Sequence, residues 1–142
     1  VSPRPVLIPD ARHPITITAT GRPVTVRVAG VVVATSTRAL TLREAGYPAV
    51  QYLPWADVDR RLLTRTETTS YCPYKGDAHY VRVTTPDGTT VEDVGWCYRH
   101  PHPAVAAIAG HLACYPQKAQ ITVGGGDEAG AGAGPGGLGP GS

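Results

Sequence analysis

The sequence contains no phenylalanine and no methionine. Its aromatic surface comes only from two Trp, seven Tyr and the histidines, whose rings carry polar atoms that need partners once buried. Lysine is nearly missing, present only as Lys75 and Lys118. A strong charge of one sign is also lacking: 13 basic and 11 acidic groups give a formal +2, without the basic stripe of a nucleic-acid footprint. The densest basic group, Arg60, Arg61 and Arg65, is broken by Leu62 and Leu63. It reads as solvated side chains flanking a buried pair, with phosphate binding as the alternative. The longest apolar stretches, Val31 to Ala34 and Ala104 to Ala109, fall well short of the roughly 18 to 20 residues of a membrane span, and no basic region precedes an apolar one at the N-terminus. The expectation is a cytoplasmic protein with no membrane and no nucleic-acid partner. Three cysteines are too few for a disulfide framework and leave at least one free thiol, which suits a reducing compartment. Phosphate-loop, dinucleotide-fold and nucleophile-elbow motifs are all absent, so no cofactor is implied.

What is present is period-two alternation. Val24, Val26 and Val28 alternate with Thr25 and Arg27, and Ala29-Gly30 offers a tight reversal into Val31 to Ala34, which together predict a β-hairpin. Further strands are predicted at Ile15 to Thr18, Ala39 to Glu44, Val50 to Leu53, Thr66 to Cys72, Ala78 to Thr84, Val91 to Tyr98 and Gln120 to Val123. Pro86-Asp87-Gly88 marks another turn. Proline followed by good formers predicts short helices at Pro54 to Val58 and Pro103 to His111. The fold class is therefore mainly β: a compact antiparallel sheet rolled into a barrel-like or two-sheet arrangement with one or two short helices. Residues 1–14, with Pro3, Pro5 and Pro9, read as an extended arm, and residues 15–123 as one domain. Residues 124–142, ten of them Gly, read as a disordered tail. Asp127 and Glu128 lie in that tail, so the preceding part carries a formal +4.

The segment Tyr71 to Tyr80 gathers a thiol, a lysine, a carboxylate, an imidazole and three phenols within ten residues. Pro73 and Gly76 bracket Tyr74 and Lys75, so the two are expected to project from a tight turn. Cys72 is a candidate nucleophile or a packed thiol. His79 is the nearest base, on the opposite strand face from Ala78 and Tyr80. Lys75 and Asp77 either hold an anionic ligand or pair across the turn. Val94, Trp96 and Tyr98 fall on one predicted strand face, forming a pocket wall or a sheet core. Arg43 and Glu44 are neighbours facing opposite sides, and an inward Glu44 needs a partner. His100-Pro101-His102 lacks the further ligands of a metal site.

Cys72-Pro73-Tyr74-Lys75-Gly76, together with Ser36 to Glu44, Tyr52-Leu53-Pro54, Trp96-Cys97-Tyr98 with Pro101, and Ile108-Ala109-Gly110-His111, resembles the bacterial domain-of-unknown-function family 427 over Ile15 to Val123. The resemblance implies a compact, mainly β single-domain protein, at times labelled nucleotidyltransferase-like. The residues do not support that label, because no well-placed acidic pair is available to hold magnesium. Where the family often shows Asp-His-Thr-Thr, this chain reads Glu67-Thr68-Thr69-Ser70, so Thr68 replaces a histidine. Cys97 stands where a small polar residue is typical.

Two readings follow. In the first, the domain handles a small anionic molecule in a cleft at the Cys72 to Asp77 turn. Cys72, Lys75 and Glu44 are its candidate catalytic groups, and Tyr74, Asp77, Trp96, Tyr98 and Arg43 its ligand-binding groups. In the second, the same residues stabilise a turn and a core in a non-catalytic structural or protein-interaction domain.

Overall fold

The computed structural model describes residues 4–124 and the short strand Asp127–Glu128. Among the described residues there are eleven strands, with 3-10 segments between β5 and β6 and between β8 and β9: β1 Ile15–Ala19, β2 Val24–Val28, β3 Val31–Ser36, β4 Leu40–Glu44, β5 Val50–Pro54, β6 Leu63–Cys72, β7 Gly76–Thr84, β8 Thr90–Tyr98, β9 His111–Cys114, β10 Gln120–Val123 and β11 Asp127–Glu128. Two antiparallel sheets result. The larger runs β1-β4-β5-β9-β8-β7-β6 and the smaller β11-β10-β2-β3. This is the mainly β, two-sheet arrangement that the alternation predicts.

The β2–β3 hairpin turns at Ala29 and Gly30, both with positive φ (49° and 80°), the geometry that matches a two-residue reversal to the strands' twist. Its alternating valines drive one face into the space between the sheets. Val24, Val26, Val28 and Val33 meet Leu53, Val81, Val83, Val94 and Leu112 from the larger sheet there. A second core covers the other face of the larger sheet. It holds Leu42, Tyr52, Cys72, Tyr80, Trp96 and Tyr98, closed by Val105 and Ile108 from the 3-10 segment Pro103–Ile108. Burying each such large side chain contributes about 1.5–3 kcal/mol.

Three expectations are corrected. The helix predicted over Pro103 to His111 stops at Ile108, and His111–Cys114 forms β9, which slots between β5 and β8 in the larger sheet. An alanine-rich run after proline looks helical locally, whereas a four-residue strand is dictated by its two neighbours. The segment after Pro54 is likewise two one-turn 3-10 pieces, Trp55–Asp57 and Arg60–Leu62, the second capped by Asp59. Val94 does not share a face with Trp96 and Tyr98. Asp93 adopts φ 47°, the β7–β8 register shifts beside it, and Val94 turns into the inter-sheet core.

The expected tail lies outside the described residues except for its first residue, Gly124, and for Asp127–Glu128, which pair with Thr122 and Val123. Among the described residues no helix is long and apolar enough to cross a membrane.

Candidate functional site

The Cys72–Gly76 turn is closed by a hydrogen bond from the Lys75 amide to the Cys72 carbonyl (3.1 Å), and Gly76 at φ 109° takes a conformation that L side chains rarely adopt. That geometry sends the Lys75 side chain inward rather than outward. Lys75 is fully buried, and its Nζ donates to Glu44 Oε1 from β4. Cys72 Sγ lies 3.8 Å from the same nitrogen. The other carboxylate oxygen of Glu44 meets His13 Nε2 at 2.5 Å, because β1 pairs with β4 and carries the residues just before Ile15 over the end of Glu44. His13 is about a quarter exposed and stacks flat on Tyr74, centroids 4.0 Å apart. A continuous chain of ionisable groups therefore runs from the surface to a buried thiol.

Around it the cluster is closed. Trp96 and Tyr98 are fully buried, so neither walls an open cleft. Trp96 Nε1 donates to Tyr52 Oη (3.2 Å), while the Tyr98 hydroxyl, in the same core as Cys72, is buried with no hydrogen-bond partner among the described residues. Burial pushes the Tyr98 and Tyr52 phenols well up, reinforced by the Glu44 carboxylate and the Cys72 thiol nearby. Asp77 points elsewhere. It forms a two-pronged pair with Arg4, which also stacks on Tyr71, and Leu7 donates its amide to the Pro73 carbonyl. Residues 4–13 thus lie as a strap across the turn. Arg43 faces solvent on the opposite side from Glu44.

The structure therefore brings Cys72, Lys75 and Glu44 together as a buried group and adds His13 at its partly exposed end. Of the two alternatives for Lys75 and Asp77, their pairing across the turn is not formed: Lys75 pairs with Glu44 and Asp77 with Arg4.

An open cleft exists on the other face of β6–β8, at the end that the small sheet leaves uncovered. It encloses about 350 Å³ and is lined by Arg65 from β6, His79 and Val81 from β7, Cys97 and Arg99 at the end of β8, and Trp55 with Arg60 from the 3-10 segments. Cross-strand register places Arg65 beside Val81 and His79 beside Cys97. The Arg60 guanidinium sits 5.0 Å over the Trp55 ring. Arg65 Nη2 approaches His79 Nδ1 at 2.7 Å, so that nitrogen accepts and Nε2 carries the proton of the neutral ring. Burial holds the His79 pKa below its ordinary value, with Arg65 and Arg99 adding to the effect and Asp77 opposing it. Among the described residues no carboxylate lines this cleft.

A family model described as a domain of unknown function, DUF427, matches residues 16–125. The chain belongs to this family. No curated protein matches the chain. In this DUF427 domain, Thr68 donates to Asp93 Oδ2 (2.7 Å), and Thr66 donates to Asp93 Oδ1 (2.6 Å). These two hydroxyls fasten the β8 bulge to β6.

Sequence reasoning passed over His13, Trp55 and Arg99, and read Arg60 and Arg65 as solvated. His13 carries no motif and gains its role only from the β1–β4 register. The cleft residues come from four separated segments. The basic cluster of Arg60, Arg61 and Arg65 was the only available signal.

Proposed function

We propose that this domain binds a small anionic molecule in the cleft formed by Trp55, Arg60, Arg65, His79, Cys97 and Arg99. One observation carries the reading: three arginines and a histidine line one cleft to which the described residues contribute no carboxylate. Four arginines elsewhere on the surface are matched by carboxylates, in Arg4–Asp77, Arg38–Asp57, Arg61–Asp59 and Arg82–Glu92. Two other clefts carry both signs of charge, with Asp93 and Lys118 in one and Arg38 and Asp57 in the other. Clustered like charges repel, and an anion among them relieves that repulsion while gaining charge-assisted, fork-shaped hydrogen bonds. Trp55, Leu63 and Val81 offer apolar surface beside the cations, which suits a phosphate, sulfate or carboxylate joined to an apolar body.

Calorimetric titration with phenyl phosphate, and with inorganic phosphate and phenol separately, tests this. Phenyl phosphate is expected to bind more tightly than either fragment. Arg65→Ala and Arg99→Ala are each expected to weaken it by on the order of tenfold, the loss of one charge-assisted contact. With benzenesulfonate, which keeps its charge, affinity is expected to rise as pH falls through the lowered His79 pKa, because the bound anion favours the protonated ring. Absence of binding by every anion, or unchanged affinity in both arginine variants, refutes the reading.

The burial of Lys75, Trp96 and Tyr98 favours a second role for the family motif. On this reading Cys72-Pro73-Tyr74-Lys75-Gly76 pins the β6–β7 turn to β4 and holds the fold rather than a ligand.

A further inference from the structure

The chain His13–Glu44–Lys75–Cys72 lies outside the arginine-lined cleft and has no part in anion binding. A surface-linked lysine beside a thiol is more than a turn requires, since a buried ion pair is seldom more stabilising than apolar packing of the same volume. We infer that Cys72 and Lys75 are a site of oxidative modification, at which hydrogen peroxide joins Sγ to Nζ through a single bridging oxygen.

Sγ and Nζ stand 3.8 Å apart with no atom required to move between elements, and both belong to one hydrogen-bonded turn. A single inserted oxygen spans more of that separation than a direct sulfur–nitrogen bond does. The balance is closed by two peroxides. The S–H bond and one N–H bond break, S–O and O–N bonds form, sulfur and nitrogen each give up two electrons, and the two peroxides are reduced to three waters. The additional proton of the lysine ammonium passes to Glu44 Oε1, with His13 on Oε2 as the way out to solvent. The buried Tyr98 hydroxyl, in the same core as Cys72 and lacking a partner among the described residues, is an unmatched donor in the cluster that receives the new oxygen. The other two thiols have no such amine: Cys97 faces the cleft, and burial pushes the Cys114 thiol up to about 12.

The test is peptide mass spectrometry on the full chain, reduced or treated with peroxide under native conditions, then alkylated and digested with trypsin. Trypsin cuts after Arg65, Lys75 and Arg82 in the reduced protein. The bridge blocks the cut at Lys75, so the treated protein is expected to yield one fragment, residues 66–82, about 14 Da heavier than the unmodified fragment, reverting to two peptides on treatment with dithiothreitol. Cys72→Ser and Lys75→Arg are each expected to abolish it. Normal cutting at Lys75 with Cys72 carrying only added oxygens, a fragment about 2 Da lighter from a direct sulfur–nitrogen bond, or oxidation of Cys97 and Cys114 with Cys72 untouched each overturns the proposal. The wild-type digest decides the matter even if a variant fails to fold.

Discussion

Lys75 is the residue on which the turn depends most. An ammonium taken wholly out of water loses its hydration, and Glu44, itself buried, is the group that offsets the loss. The consequence is asymmetric. Removing one partner leaves an uncompensated charge, while replacing both with apolar or neutral groups of similar volume does not. Glu44→Gln is expected to destabilise the domain by about 3–5 kcal/mol in urea unfolding, and the double variant Glu44→Gln/Lys75→Met by clearly less. A single-variant loss under about 1 kcal/mol is what a solvated surface pair gives, and contradicts the burial. The residue types of this pair were legible from the sequence, as was the placing of Arg43 and Glu44 on opposite faces, but not which of the two turns inward. The meeting of Lys75 with Glu44 was not legible either, because 31 residues separate them and the contact exists only once β4 and the turn share a sheet.

At the scale of elements, the larger sheet is held at its centre by β9, whose first residue, His111, was read as the end of a helix. Gly95 on β8 shows why the close approach there matters. A Cβ added at this position meets the Ala113 carbonyl oxygen at 2.8 Å, Leu112 Cδ1 at 3.0 Å and Cys114 Sγ at 3.1 Å. The nearest of these is backbone of the neighbouring strand and cannot swing away. Gly95→Ala is therefore expected to cost about 1–3 kcal/mol, read as a lowered thermal midpoint, despite alanine's neutral character in a strand. A variant as stable as the parent shows that β8 and β9 can separate without penalty. The hairpins were the elements most readable beforehand. Gly30 and Gly88, with φ of 80° and 89°, sit where Ala29-Gly30 and Pro86-Asp87-Gly88 announced turns, since positive φ is a local property that glycine advertises. The β8 bulge was not readable, because Asp93 is held at φ 47° with its carboxylate taking hydrogen bonds from Thr66 and Thr68 on another strand.

For the molecule as a whole, charge sets a pH profile. Hydrogen bonds from Arg38, Arg61, Arg4 and Thr85 hold the carboxyls of Asp57, Asp59, Asp77 and Asp87 below their ordinary 3.8. A depressed carboxyl contributes stability that is present above its unfolded value and lost as pH falls through the folded one. His79, lowered from 6.5 chiefly by burial, acts in the same direction at higher pH, because the unfolded chain takes up its proton first. The thermal midpoint is expected to fall in two stages on acidification, a small one as pH drops below about 6.5 and a second below about 4. The second stage is expected to shrink in high salt, since the aspartate pairs are largely solvated. A midpoint that rises on acidification from pH 7 to 5 contradicts the His79 environment.

The sequence by itself determined the strand-rich fold, the two clearest hairpins and the family motif, because period-two burial and turn chemistry are written within a few neighbouring residues. The tertiary structure alone decided that Lys75 turns inward to Glu44, that Trp96 and Tyr98 are sealed, and that Arg60, Arg65, His79 and Arg99 share one cleft. Burial and charge pairing depend on which strands become neighbours, and that is set by the packing of the whole chain rather than by any local stretch of it.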